Sequence, residues 1–161
     1  MSTTDPLLEQ LQKLSGSRTL ILGIGNTLKG DDGAGPLICQ RLAGKTSADV
    51  IDAATVPENY IQKVVRNKPQ NLLLVDAVDF GASPGAVRLF NPEQLSSVAF
   101  STHALSPHLF IDMIRSEIDV DIYFIGIQPA HVALGADVSP HVADAVEKIA
   151  DTLSDIFPLS A

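Results

Sequence analysis

Apolar residues along this chain fall into two alternating patterns. Unbroken runs occur in TLILGI (residues 19–24), NLLLVDAVD (71–79) and DIYFIGIQP (121–129), as expected of strands covered on both faces of a parallel sheet. DVIDA (49–53) predicts a shorter strand, and GASPGAVRLF (81–90) a turn followed by a strand at 86–90. Between them the spacing turns helical. GPLICQRLAGK (35–45) places Leu37, Ile38 and Leu42 near one face and ends at Gly44. PENYIQKVVRN (57–67) predicts a helix with Pro57 in its first turn.

SPHLFIDMIRSEI (106–118) and SPHVADAVEKIADTLSDIF (139–157) both open on a capping serine followed by proline, and Asp5-Pro6 opens a short helix over about 5–15. The stretch 91–105, NPEQLSSVAFSTHAL, predicts a loop with one helical turn. Strands alternating with helices predict an α/β fold: a mostly parallel sheet with helices on both faces. With neither a repeat nor a linker, residues 1–161 are expected to form one domain with its core at about 18–157. In such sheets the ligand site forms beyond the carboxyl ends of the strands. That singles out residues 25–35, 52–58, 76–79, 128–136 and the loop before 106.

Composition narrows the function. The 161 residues are 45% hydrophobic and 19% charged, ordinary for a globular protein. A formal net charge of -8 with scattered Lys and Arg argues against nucleic acid and anionic membrane as partners. Apolar runs stay well below the ~20 residues that span a bilayer, and the N-terminal stretch lacks the regions of a signal peptide. The single cysteine, Cys39, has no internal disulfide partner, so a cytoplasmic location is expected. On the apolar side of its helix it reads as core.

The first strand runs into GIGNTLKGDDGAG (23–35), a glycine-rich turn carrying adjacent aspartates, Asp31 and Asp32. Gly23 and Gly25 fit a dinucleotide fingerprint, but Leu28 stands at the third glycine position. Two carboxylates at a helix N-terminus already occupy the anion's place. Gly44-Lys45-Thr46 follows a helix, and Cys39 stands where a phosphate-binding loop needs its first glycine. The turn therefore suits a cation better than a phosphate. One aspartate is expected to cap the following helix or face solvent, the other to face the cleft.

Asp76 closes the apolar run LLLV and is expected to end the third strand, where a carboxylate needs a hydrogen-bond donor or a metal. His108 and His141 share the Ser-Pro-His context and read as exposed residues in a first helical turn, and His131 as a loop residue. His103, in Ser101-Thr102-His103, precedes a capped helix. Two carboxylates and an imidazole from three strand-end loops suit Ni, Zn, Mn or Fe better than Ca or Mg. Asp52 and Glu58 flank a further loop, each a possible base or, more simply, a turn or helix cap. No serine sits in a nucleophile elbow.

GIGNTLKGDDGAGP, VPEN, LLLVDAVD, STH before a helix and FIGIQP, in this order, resemble the hydrogenase maturation endopeptidases over about residues 18–157. The chain is most similar to those of the hydrogenase 3 type. The resemblance implies a three-layer α/β/α sandwich with a five-stranded sheet. It also implies removal of a C-terminal extension from a NiFe hydrogenase large-subunit precursor after nickel insertion. By the same resemblance the nickel is expected to come with the substrate and act as the recognition element, with a divalent ion on the isolated protein possible only as an adventitious one. Residue by residue, the metal-contacting groups fall on Asp32, Asp76 and His103, with Asp32 and Asp76 also the catalytic candidates of an aspartic-type endopeptidase. Relatives that carry the histidine in Ser-Pro-His would point instead to His108. Where relatives often have Asp-Gly-Gly-Thr, this chain has Asp52-Ala53-Ala54-Thr55. Two rivals predict different behaviour. Another metal-assisted amide hydrolase would hold its own metal, and a non-enzymatic nucleotide-binding or chaperone-like partner would bind the precursor without cutting it.

Overall fold

The computed structural model describes residues 5–97, 99–100 and 106–160. Its strands are β1 (Thr19–Gly23), β2 (Asp49–Asp52), β3 (Asn71–Asp79), β4 (Val87–Phe90), β5 (Ala99–Phe100) and β6 (Asp121–Ile127). Its helices are α1 (Pro6–Gln12), α2 (Ala34–Leu42), α3 (Ile61–Asn67), α4 (Pro107–Arg115) and α5 (Pro140–Ile156). The five main strands lie in the order β2-β1-β3-β6-β4. β2, β1, β3 and β6 run parallel, and β4 closes one edge antiparallel to β6. This is the expected α/β class, with the strand-and-helix alternation intact.

Side-chain alternation along the strands splits the core in two. Ile21, Leu73, Val75, Ile125 and Ile127 pack with α1, α2 and α5. Leu20, Leu22, Leu72, Leu74, Ile122 and Phe124 pack with α3 and α4. Successive residues of a strand point to opposite faces, so one chain supplies both layers. Asp76 has the parity of Leu72, Leu74 and Val78 and therefore belongs to the α3–α4 face.

Several boundaries differ from expectation. β3 does not end at Asp76. It continues to Asp79, because Val78 and Asp79 pair antiparallel with Phe100 and Ala99 of β5. Asp76 is still a strand tip with respect to β1, whose pairing stops at Gly23 opposite Val75, whereas β6 continues beside it as Gly126. The segment predicted as loop with one turn is a 3-10 helix over Pro92–Ser97 followed by β5. The predicted helix at 57 begins as a 3-10 turn, Pro57–Tyr60, before α3. Among the described residues no helix is long and apolar enough to cross a membrane.

Candidate active site

The sheet's carboxyl end is laced together by backbone hydrogen bonds. Ile24 N–H donates to the Val75 carbonyl at 2.8 Å, Gly25 N–H to the Ala54 carbonyl at 2.8 Å, and Ala53 N–H to the Gly23 carbonyl at 2.8 Å. These bonds join the turn after β1, the loop after β2 and the tip of β3. A 3-10 turn, Gly30–Gly33, then folds back over Gly25. A Cβ on Gly25, whose φ is +150°, would lie 1.9 Å from the Asp32 carbonyl oxygen. Glycine here serves the close approach of this chain to itself, not to a phosphate.

Asp32 and Asp76 are both fully buried at this face. Asp32 Oδ2 accepts the Asn26 N–H at 2.9 Å, while Asn26 Oδ1 accepts the Leu28 N–H at 2.9 Å. The turn therefore holds its own carboxylate in place. Asp76 reaches the face from the middle of the sheet, on the side of α3 and α4. His103 lies outside the described residues. β5 begins at Ala99 opposite Asp79, and α4 starts from Ser106, whose hydroxyl oxygen caps it by accepting the Leu109 N–H at 3.1 Å. His108, His131 and His141 are exposed, as their sequence contexts suggested. Among the described residues no three His, Cys, Asp or Glu side chains cluster to hold a metal.

Asp31 departs from expectation. It neither caps α2 nor faces solvent, and Gly33 precedes α2 without any side-chain cap. Its buried carboxylate instead clamps the loop after β6. Oδ2 accepts the Ala130 and His131 N–H groups at 2.8 and 2.9 Å and the Ser139 hydroxyl at 2.8 Å, and Oδ1 accepts the Ser139 N–H at 2.7 Å. Burial pushes its carboxyl upward. The N–H groups of His131, Ser139 and Ala130 with the Ser139 hydroxyl outweigh that and hold it below the ordinary range. Ser139 consequently does not cap α5 with its side chain, although its Ser-Pro-His context is that of Ser106.

Gln128 directly follows β6, and its sequence context singles it out only as part of the segment 128–136. Its buried amide oxygen accepts the Phe80 and Ala82 N–H groups at 2.9 and 3.2 Å, and its amide nitrogen donates to Asp79 Oδ1 at 3.1 Å. The Gly81 N–H and this amide hold the Asp79 carboxyl below its ordinary value. Asp52 is exposed and accepts the Ala54 N–H at 3.0 Å, forming the turn expected of it. Glu58 Oε2 is buried without a hydrogen-bond partner in the described structure. Cys39 is core. Burial and the nearby Asp52 charge push its thiol up to about 12, which removes it as a nucleophile.

Most of the chain is similar to known proteins. Residues 37–156 match the family model described as hydrogenase maturation protease. The hydrogenase 3 maturation protease of Escherichia coli K12 is 35% identical over 133 residues, covering 81% of this chain and 85% of its own. The crystal structure of the NiFe hydrogenase maturation protease HycI from Thermococcus kodakarensis KOD1 superposes with a TM-score of 0.82 at 32% identity, over 93% of this chain and 97% of that one. The solution structure of the endopeptidase HycI from Escherichia coli gives 0.78 at 34% identity, over 86% and 90%.

Proposed function

This chain belongs to the hydrogenase maturation protease family, and we propose that it removes the C-terminal extension of a NiFe hydrogenase large-subunit precursor once nickel has been inserted. The observation that carries this reading is the pair of buried carboxylates, Asp32 and Asp76, at the strand-end face of the sheet. The two reach that face from different elements, a turn after β1 and the body of β3.

In this reading Asp32, Asp76 and His103 engage nickel already held by the precursor's cysteines. Carboxylate oxygens and an imidazole nitrogen suit such a divalent ion. The Asn26 N–H fixes the orientation of Asp32 before the precursor arrives, so little side-chain freedom is lost on contact. The substrate's own metal thus registers one peptide bond against the cleft, and specificity follows from its presence. The ion can supply polarisation of the scissile carbonyl or a lowered pKa for water. The chain's contribution to proton transfer falls to Asp32 rather than Asp52, because Asp52 is turned back onto its own loop through Ala54.

The test compares nickel-loaded with nickel-free precursor, each incubated with this protein and weighed by mass spectrometry. Loss of a C-terminal peptide from the loaded form alone is expected. Cleavage of both forms would remove nickel from recognition, and intact precursor in both would overturn the peptidase reading for that substrate.

A further inference from the structure

Two loops at the strand-end face carry large apolar side chains into solvent. Leu28, in the turn after β1, is 67% exposed, and Leu134, in the loop after β6, is 73% exposed, with Val132 beside it at 37%. One exposed leucine needs no explanation, but these three lie on loops that are bound to each other. The Gly135 N–H donates to the Leu28 carbonyl at 2.8 Å, and the Asp31 N–H to the His131 carbonyl at 2.8 Å. At Gly30, φ +55°, a Cβ would come within 2.6 Å of the His131 carbonyl oxygen. The Asp31 carboxylate then closes the loop from Ala130 to Ser139. The backbone is therefore fixed while its apolar side chains stay uncovered, an arrangement pre-organised for contact.

We propose that Leu28, Val132 and Leu134 form an apolar lip that seats an apolar stretch of the precursor polypeptide beside the bond to be cut, with Asp31 and Ser139 as the positioning residues that hold it. This rests on the peptidase reading and adds a determinant of specificity separate from the metal. The occupant follows from continuity: Leu28 and Asp32 share one turn, so a polypeptide engaged at Asp32 passes the lip. Nucleic acid and anionic lipid do not fit a chain of net charge -8. A second copy of this chain is the remaining apolar occupant, and the experiment separates it.

The double variant Leu28→Asn/Leu134→Asn changes only exposed side chains and leaves Asp32 and its Asn26 contact intact. Leu159→Asn, also exposed at 56%, is the control. It lies at the opposite end of the sheet, where the Phe157 carbonyl accepts the Ser47 N–H just before β2. With nickel-loaded precursor, KM is expected to rise about tenfold or more in the double variant, with kcat within about twofold, and to stay unchanged in the control. Ser139→Ala should raise KM in the wild-type background and add nothing in the double variant, a non-additivity that a merely structural role would not give.

Equal KM in the wild type and double variant, or an equal rise in the control, overturns the lip while leaving the peptidase intact. So does self-association of the wild type that the double variant abolishes without any change in KM. If the wild type does not cleave, its binding to immobilised precursor decides. Binding weakened by the double variant keeps the lip and discards the peptidase reading, whereas absent or unweakened binding overturns the lip.

Discussion

Asp31 and Ser139, 108 residues apart in sequence, share two hydrogen bonds: the Ser139 N–H donates to Oδ1 at 2.7 Å and its hydroxyl to Oδ2 at 2.8 Å. The pair ties the turn that carries Asp32 to the start of α5. Neither residue is free to do what its local context suggests, since Asp31 does not cap α2 and Ser139 does not cap α5 through its side chain.

Replacing Asp31 by Asn puts an amide donor against N–H groups that need an acceptor. Asp31→Asn is expected to cost about 2–4 kcal/mol of unfolding free energy, and Ser139→Ala about 1–2 kcal/mol, both read by urea unfolding. The double variant should lose less than the sum, because both changes break the same contacts. Strict additivity would show that the two residues act separately.

The same clamp has a pH signature. Asp31's carboxyl is held below its unfolded value, so its stabilisation is present above the ordinary carboxylate range, near pH 4, and is lost as pH falls through the folded value. Unfolding free energy measured from about pH 6 downward should fall more steeply for the wild type than for Asp31→Asn. Parallel acid slopes would contradict the clamp.

Cys39 gives the opposite sign. Its thiol is raised to about 12 in the folded chain, so the neutral form's stabilisation is present below the unfolded value and lost as pH rises. Relative to Cys39→Ala, the wild type should lose about 1–2 kcal/mol between pH 8 and pH 10. At pH 8 the folded protein should resist alkylation that the unfolded chain undergoes readily. Rapid alkylation of the folded protein would place Cys39 outside the core.

The loop after β2 carries backbone strain. Ala54 adopts φ +49°, a conformation that costs a side-chain-bearing residue about 1 kcal/mol. Ala54→Gly relieves it at the cost of a more flexible unfolded chain, for a net effect of about 0–1 kcal/mol in favour of folding. Ala54→Val should lose more than about 1 kcal/mol. Thermal unfolding distinguishes them, and a valine variant as stable as the glycine variant would contradict the assignment. The chain thus places an alanine at a glycine-like backbone position in this loop.

What was legible in the sequence follows from what is local. The inner parallel strands β1, β3 and β6 showed as apolar runs because both their faces are covered, and Ser106-Pro107 marked α4 because its cap bond is made within three residues. Asp32 and Asp76 stood out as carboxylates next to apolar strands, and both are buried at the strand-end face. What was not legible depends on distant partners. β3 runs three residues past Asp76 because β5 pairs with it, and the β5 segment carries no strand signal of its own. Asp31's role rests on Ala130, His131 and Ser139, and Gln128's on Phe80 and Ala82 some 46–48 residues away. Ser139-Pro140-His141 and Ser106-Pro107-His108 are identical in local chemistry, and only tertiary contact makes one serine a cap and the other a clamp.

In the proposed function, Asp32, Asp76 and His103 together read the nickel-loaded precursor. The direct measurement is single-turnover cleavage of that precursor by Asp32→Asn, Asp76→Asn, His103→Ala and His108→Ala, followed by mass. A loss of about a hundredfold or more is expected for the first three and near wild-type cleavage for His108→Ala, with all four variants folded. Cleavage abolished by His108→Ala and retained by His103→Ala would contradict the assigned site.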